Sequence, residues 1–167
     1  MIAIVNINPN WGIGSENRLL VRIHADMRRF RALTQNNTVI FGRKTLETFP
    51  NGDPLPKRNN IVLTHDSDYQ KDGLTVCHDL TELKSALSGT DPMSVFVCGG
   101  EQIYRLLLPY CSTAYVTLTE IYDEADRFFP NLTRLSNWKL DEVGEKQTEN
   151  GIAFRYLTFT NQQVKEL

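Results

Sequence analysis

Short runs of nearly unbroken apolar, largely β-branched character recur at residues 2–7, 38–41, 60–64, 74–77 and 94–98. Strands apolar on both sides of their pleat need cover on both faces, which is the pattern of a parallel sheet. The intervening segments can supply that cover. Residues 25–34, 43–49, 79–88 and 101–108 carry a helical period, and the third opens Asp79-Leu80-Thr81-Glu82, with aspartate at the N-cap and glutamate at the third helical position. After Pro109 the pattern changes: residues 115–119, 138–143 and 153–159 read as strands, and Asn150-Gly151 marks a turn. Antiparallel pairing on the same sheet is expected there. The predicted fold class is α/β, a mostly parallel central sheet with antiparallel C-terminal strands and about four flanking helices.

A chain of 167 residues with no repeat, low-complexity tract or linker suits one domain over 1–167. Its 18 basic and 20 acidic residues give a formal net charge of -2 and are mixed along the chain. No basic stripe points to nucleic acid or an anionic membrane, so a small ligand is the expected partner. Cys77, Cys98 and Cys111 are odd in number, form no CxxC, and two of them lie in apolar runs, which suits buried free thiols in a reducing compartment. The start Met1-Ile2-Ala3-Ile4-Val5 lacks a basic n-region and no apolar run approaches a membrane span, so a cytoplasmic location is expected. His24, His65 and His78 have no metal-ligand spacing, and no metal site is expected.

One charge is out of place. Asp26, Phe30 and Leu33 follow the i, i+4, i+7 spacing of one helical face, whereas Arg28, Arg29 and Arg31 lie off it. A carboxylate on an apolar face costs several kcal/mol unless it is paired, neutralised or met by a ligand. Two readings stay open: Asp26 serves the positive first turn of its helix, or it faces a ligand.

The glycines divide into two kinds. Gly12-Ile13-Gly14-Ser15-Glu16-Asn17 follows a strand and begins like a GxGxxG dinucleotide fingerprint, but Asn17 replaces the third glycine and no clean helix follows. These glycines are expected to turn a mobile loop, with positive φ available at both. Residues 8–23 and 50–59 lack a regular period, and the first segment is long enough to be a functional loop. By contrast, Gly42-Arg43-Lys44-Thr45 and Gly99-Gly100-Glu101-Gln102 each join an apolar strand to a helix. Free N–H groups at such junctions bind anions, so a phosphorylated cofactor would bridge them; the alternative is that they only make tight turns.

Further motifs stand in order along the chain: Gly-Ile-Gly-x-x-Asn at 12–17, Ala25-Asp26-Met27-x-x-Phe30 and Val39-Ile40-Phe41-Gly42-Arg43-Lys44-Thr45-Leu46-Glu47-Thr48. They continue as Pro54-Leu55-Pro56-x-Arg58-x-Asn60-Ile61-Val62-Leu63, Val97-Cys98-Gly99-Gly100-x-x-Ile103-Tyr104 and Ala125-Asp126-x-Phe128-Phe129-Pro130. In this order and spacing they resemble bacterial dihydrofolate reductase over nearly the whole chain. The resemblance implies reduction of 7,8-dihydrofolate to 5,6,7,8-tetrahydrofolate with NADPH, hydride passing to pterin C6 and a proton to N5, in support of one-carbon metabolism. It implies that antifolates compete with the substrate, and a monomer is expected.

By the same resemblance Asp26 holds the pterin 2-amino group and N3 and promotes N5 protonation, Tyr104 approaches the nicotinamide, and Leu19 belongs to the loop that closes over it. Ile4, Val5, Met27, Phe30, Phe49, Leu55, Cys98 and Thr117 would bind the pterin and benzoyl groups, and Arg58 the glutamate α-carboxylate. Gly42, Arg43, Lys44 and Thr45 would meet the cofactor phosphates, with Thr64 and His65 near the adenosine. Gly99 and Gly100, joined in this family by a cis peptide, would lie by the pyrophosphate with Glu101, Gln102 and Ile103, and Ile13 and Asn17 would reach the cofactor from the closing loop. Five positions depart from the family pattern. Leu20-Val21 replaces a common Pro-Trp, Gln102 a frequent basic residue, Cys98 a larger aliphatic and Ala125 a glycine. The alternatives are a reductase of related fold acting on a ribosylamino-pyrimidine of riboflavin synthesis, and a nucleotide-binding module without catalysis.

Overall fold

The computed structural model describes residues 1–167. In chain order the strands are β1 (Ile2–Ile7), β2 (Gly12–Ser15), β3 (Arg18–Leu19), β4 (Thr38–Gly42), β5 (Asn59–Leu63), β6 (Thr75–Cys77), β7 (Val95–Val97), β8 (Thr113–Thr119), β9 (Arg127–Phe128), β10 (Trp138–Val143), β11 (Gln147–Glu149) and β12 (Ile152–Asn161). The helices are α1 (His24–Thr34), α2 (Arg43–Leu46), α3 (Leu80–Ala86) and α4 (Glu101–Leu107).

Both-faced apolar strands end up buried on both faces. The main sheet has the order β10-β12-β8-β1-β7-β4-β5-β6, with β11 added to β12. Alternation along β1 sends Ala3, Val5 and Ile7 into one core with Tyr104, Leu107, Phe129 and Phe159, and Ile2 and Ile4 into a second with Val39, Phe41, Leu46 and Phe96. Phe30 and Leu33 of α1 close the second core, and Leu83 of α3 belongs to the first. Between β6 and β8 the pairing is parallel throughout. The antiparallel sense enters with β12, which pairs β8, β10 and β11. Residues 115–119 therefore take both senses: β8 is antiparallel to β12 but parallel to β1, because the crossover through α4 returns the chain to the same end of the sheet.

β7 sits between β1 and β4. The chain reaches it from α3 on the β6 side and leaves through α4 to β8 beyond β1, so the connections diverge there. A crevice outside the carboxyl ends of the strands at such a point is where open α/β sheets bind ligands.

The segment 8–23 is less irregular than its sequence suggests. β2 and β3 form a hairpin with Ser15 opposite Arg18, and β9 adds a third strand. Its two-residue loop is Glu16 (φ 49) and Asn17 (φ 60), the left-handed pair a tight hairpin needs. Gly12 and Gly14 do not carry the positive φ expected of them; Trp11 does (φ 64). They are glycines for lack of space, since a Cβ at Gly12 would lie 2.5 Å from the Ala125 Cβ and one at Gly14 2.8 Å from the Arg18 carbonyl oxygen. The helix expected over 43–49 stops at Leu46, because Pro50 pushes Phe49 into extended backbone (φ -74, ψ 159). At α3 the Asp79 cap forms as expected, accepting from the Glu82 N–H at 2.8 Å, while the Glu82 carboxylate reaches back to the N–H of His78 at 2.7 Å. Asn150 and Gly151 make the expected turn, both with positive φ. No helix is long and apolar enough to cross a membrane.

Candidate active site

Helix α1 begins without a cap of its own, since its N-cap is Ile23. The β11–β12 hairpin supplies one: Glu149 accepts from the N–H groups of His24 at 2.6 Å and Ala25 at 3.1 Å. These bonds and the nearby cations hold the Glu149 carboxyl below its ordinary range. Asp26 therefore does not cap the first turn. Its Oδ1 accepts from the Thr117 hydroxyl at 2.5 Å and its Oδ2 from the Asn6 amide at 2.9 Å. Burial pushes its pKa up, and the bonds from Thr117 and Asn6 together with the nearby Arg29 oppose the rise. Arg29, off that face, lies over two rings: its guanidinium is 4.2 Å from the Tyr156 ring centroid and 5.2 Å from that of Tyr115.

Around Asp26 the remaining predicted substrate residues fall into three groups. Met27 and Leu19 line a small cavity of about 40 Å³ beside the carboxylate, together with Ile13, Leu20, Val21 and Asn6. Ile4, Phe30, Phe49 and Leu55 pack in or against the second core, with the Phe49 ring edge-on to Phe41 at 5.0 Å. Val5 and Cys98 line a much larger neighbouring cleft. Arg58 stands apart and half-buried, its Nε donating to the Thr34 hydroxyl at 3.1 Å and its Nη1 to the Pro56 carbonyl at 2.7 Å. Those two bonds fix the direction of the guanidinium at the end of α1.

The cleft has a volume of about 1180 Å³ and opens where the strand topology placed it. It gathers Gly42, Arg43, Lys44 and Thr45 from the end of β4, Thr64 and His65 from the end of β5, and Gly99, Gly100, Glu101, Gln102, Ile103 and Tyr104 from the start of α4. Ile13, Asn17 and Leu19 reach it from the β2–β3 hairpin. The two glycine junctions are tied directly, the Gly42 N–H donating to the Gly99 carbonyl at 2.8 Å. Gly99 and Gly100 are joined by a cis peptide. A side chain would fill this floor: a Cβ at Gly99 would meet the Tyr104 ring at 3.1 Å, one at Gly100 the Thr45 hydroxyl at 3.3 Å, and one at Gly42 Ile103 at 3.1 Å. Tyr104 donates its hydroxyl to the Ile4 carbonyl at 2.7 Å, and burial raises its pKa well above the ordinary value, so it forms a neutral wall. Burial also pushes the Cys98 thiol far up, which leaves it inert.

Cations ring the cleft in unequal states. Arg43 is paired with Asp66 at 2.8 Å, Arg105 with Glu101 at 2.9 Å and Arg127 with Asp126 at 3.8 Å, whereas Lys44 and Arg18 have no ion pair. The hairpin over the cleft is held through Asp126, whose carboxylate accepts from the Glu16 N–H at 3.0 Å and whose own N–H donates to Gly14. Glu101 joins in by accepting from the Phe128 N–H at 3.1 Å. Sequence reasoning missed Asn6, Asp66, Asp126 and Glu149. Only Asn6 carried a signal of the kind that exposed Asp26: a polar side chain inside an otherwise apolar run, Ile2-Ala3-Ile4-Val5-Asn6-Ile7.

Comparison with known proteins covers the same ground from outside. A family model for dihydrofolate reductase matches residues 1–161. The chain is 37% identical over 158 residues to the dihydrofolate reductase of Bacillus subtilis (strain 168), covering 93% of this chain and 91% of that protein. It is 33% identical over 149 residues to that of Staphylococcus haemolyticus, covering 89% and 84%. Among solved structures, a dihydrofolate reductase from Enterococcus faecalis complexed with NADP(H) and RAB-propyl superimposes with a TM-score of 0.84 at 30% identity, over 96% of this chain and 95% of that one. A lone carboxylate on the inward face of its helix, glycine junctions on adjacent strands and a match running almost end to end place the chain in the dihydrofolate reductase family.

Proposed function

We propose that the protein reduces 7,8-dihydrofolate to 5,6,7,8-tetrahydrofolate with NADPH. The observation that carries the reading is Asp26, a half-buried carboxylate with no cation bonded to it, set beside a cleft whose floor is glycine and whose rim is cationic. The cleft suits a dinucleotide. At about 1180 Å³ it exceeds the roughly 300 to 1,000 Å³ of most small-ligand pockets, and glycine at 42, 99 and 100 lets Ile103, Tyr104 and Thr45 pack directly on the backbone that floors it. NADPH supplies the hydride that reduces pterin C6; the protein's part is to bind, orient and manage the proton.

Both Asp26 oxygens retain a lone pair beyond their bonds to Thr117 and Asn6, so the carboxylate can accept from the pterin 2-amino group and N3. Burial favours the protonated form of the carboxyl, the direction that delivery of a proton to N5 requires. The cavity of about 40 Å³ beside the carboxylate has room for one water with Asp26 and Asn6 as polar partners, a route to N5 that needs no indole at Val21. Phe30, Phe49 and Leu55 would hold the pteridine and benzoyl rings, and Arg58 the glutamate α-carboxylate. Arg43, Lys44 and Thr45 would hold cofactor phosphates, with Gln102 adding no charge. Leu19 and Asn17, on the hairpin, would shut water from the reacting carbon. We read the chain as one cytoplasmic domain acting as a monomer, with antifolates competing for the Asp26 pocket.

The test is NADPH oxidation with dihydrofolate set beside the same assay with the ribosylamino-pyrimidine of riboflavin synthesis. Turnover with dihydrofolate alone supports the reading. Turnover with the pyrimidine, or NADPH binding with neither substrate consumed, would replace it with one of the two alternatives.

A further inference from the structure

Asp26 is held by a chain of neutral donors that extends past its immediate partners. The Thr119 hydroxyl donates to Asn6 Oδ1 at 2.8 Å, and the Asn6 amide donates to Asp26 Oδ2 at 2.9 Å. Asn6 cannot turn its amide over without losing both bonds, because its oxygen faces a donor and its nitrogen an acceptor. Thr119 is fully buried, so its hydroxyl has a fixed partner and no exchange with water. Asn6 borders both the large cleft and the small cavity beside Asp26. Of the side chains common to both, it is the polar one.

We propose that Asn6, anchored by Thr119, is a positioning residue for dihydrofolate reduction: it fixes the orientation of the Asp26 carboxylate and stabilises its ionised form. The role rests on the reductase reading and names a determinant of its pH dependence. An N–H donated to a carboxylate favours the anion, so Asn6 and Thr117 together counteract burial. The other charged or titratable groups facing Asp26 are Arg29 from its own helix, Tyr104 from α4 and Tyr156 from β12. The two tyrosines stay neutral through the pH range in which a carboxylate titrates, since burial raises both. Of the donors to Asp26, Asn6 is the one that a second residue holds in place. With Oδ2 occupied on one side, the substrate meets the carboxylate only along its remaining edge.

The test is the titration of the Asp26 carboxyl carbon by ¹³C NMR, its resonance assigned through Asp26→Asn, in the wild type, Asn6→Leu and Thr119→Val. Leucine keeps the volume of asparagine and admits no water, so the lost donor is not replaced by solvent. The Asn6→Leu midpoint should move up by about one pH unit. Thr119→Val, which frees the amide without removing it, should move it the same way by less, and provides the measurement should Asn6→Leu fail to fold. The fall of kcat/KM at high pH should shift upward in parallel in both variants. A midpoint that stays at the wild-type value in either folded variant overturns the proposal. Because the titration needs no turnover, absent dihydrofolate reduction would overturn the reductase reading alone and leave the Asn6 result standing.

Discussion

The Asp26 pocket and the glycine-floored cleft lie side by side and are built on opposite terms. In the pocket one half-buried carboxylate is bound by side chains from β1 and β8, and a carboxylate from a distant hairpin caps the helix that carries it. In the cleft the backbone does the shaping, and the charges sit on exposed, partly paired side chains. A half-buried group held by two short hydrogen bonds is sensitive to the loss of either, whereas exposed cations share their effect and are screened by salt. Single substitutions should therefore act strongly and with pH in the pocket, and weakly and with ionic strength in the cleft.

The largest expected effect is that of Asp26→Asn. General acid–base groups contribute roughly 10²- to 10⁴-fold, so kcat at neutral pH should fall by at least about a hundredfold while the NADPH Kd, measured by fluorescence, stays within about twofold. Lower pH, where the substrate arrives protonated, should restore part of the rate. A matching loss of NADPH affinity would erase the distinction between the two regions.

Next comes Gly99→Ala, the point where the cleft is as unforgiving as the pocket. Gly99 has φ 112 and its added Cβ would meet the Tyr104 ring at 3.1 Å. A side chain in such a conformation costs about 1 to 3 kcal/mol, and denaturant unfolding should register that loss together with weaker NADPH binding. Arg58→Leu should follow, raising KM for dihydrofolate about tenfold or more through loss of a charge-assisted pair, with kcat nearly unchanged and a pteridine lacking the glutamate indifferent to the change.

Smaller still is the effect of the rim. Lys44→Gln should narrow the NADPH over NADH preference by about tenfold at low salt. Arg43→Gln should do less, because Asp66 already holds that guanidinium at 2.8 Å and must release it to a phosphate. Raising the ionic strength should shrink both effects but leave that of Asp26→Asn untouched. The smallest effect has the opposite sign. Burial raises the Asp26 pKa in the folded protein, so the ionised side chain opposes folding above the ordinary carboxylate range, and that penalty fades as pH falls into it. Asp26→Asn should therefore unfold at a slightly higher temperature than wild type at pH 7, the gap closing in acid.

The parallel strands were legible because burial on both faces leaves an unbroken apolar run, as in Val39, Ile40 and Phe41. Every cofactor residue expected from the resemblance lines the cleft, since strand-to-helix glycines mark the carboxyl ends of neighbouring strands. The β2–β3–β9 sheet was not legible. Its turn uses Glu16-Asn17 instead of a glycine pair, and Gly12 is required by Ala125, far off in sequence. Nor does periodicity reveal that Glu149 caps a helix beginning at His24, or that Asp66 holds Arg43. Such pairings arise only when the sheet brings distant segments together. Asn6 could have been noticed, as Asp26 was, for being polar where its neighbours are apolar.

The most direct measurement follows the hydride. Dihydrofolate is turned over with NADPH deuterated at the transferring position of the nicotinamide, and the product is examined by NMR and mass spectrometry. Deuterium should appear at C6 of tetrahydrofolate, one atom per NADPH consumed, with the N5 proton drawn from solvent. NADPH consumed without label at C6 would contradict a pocket and a cleft arranged for hydride transfer to dihydrofolate.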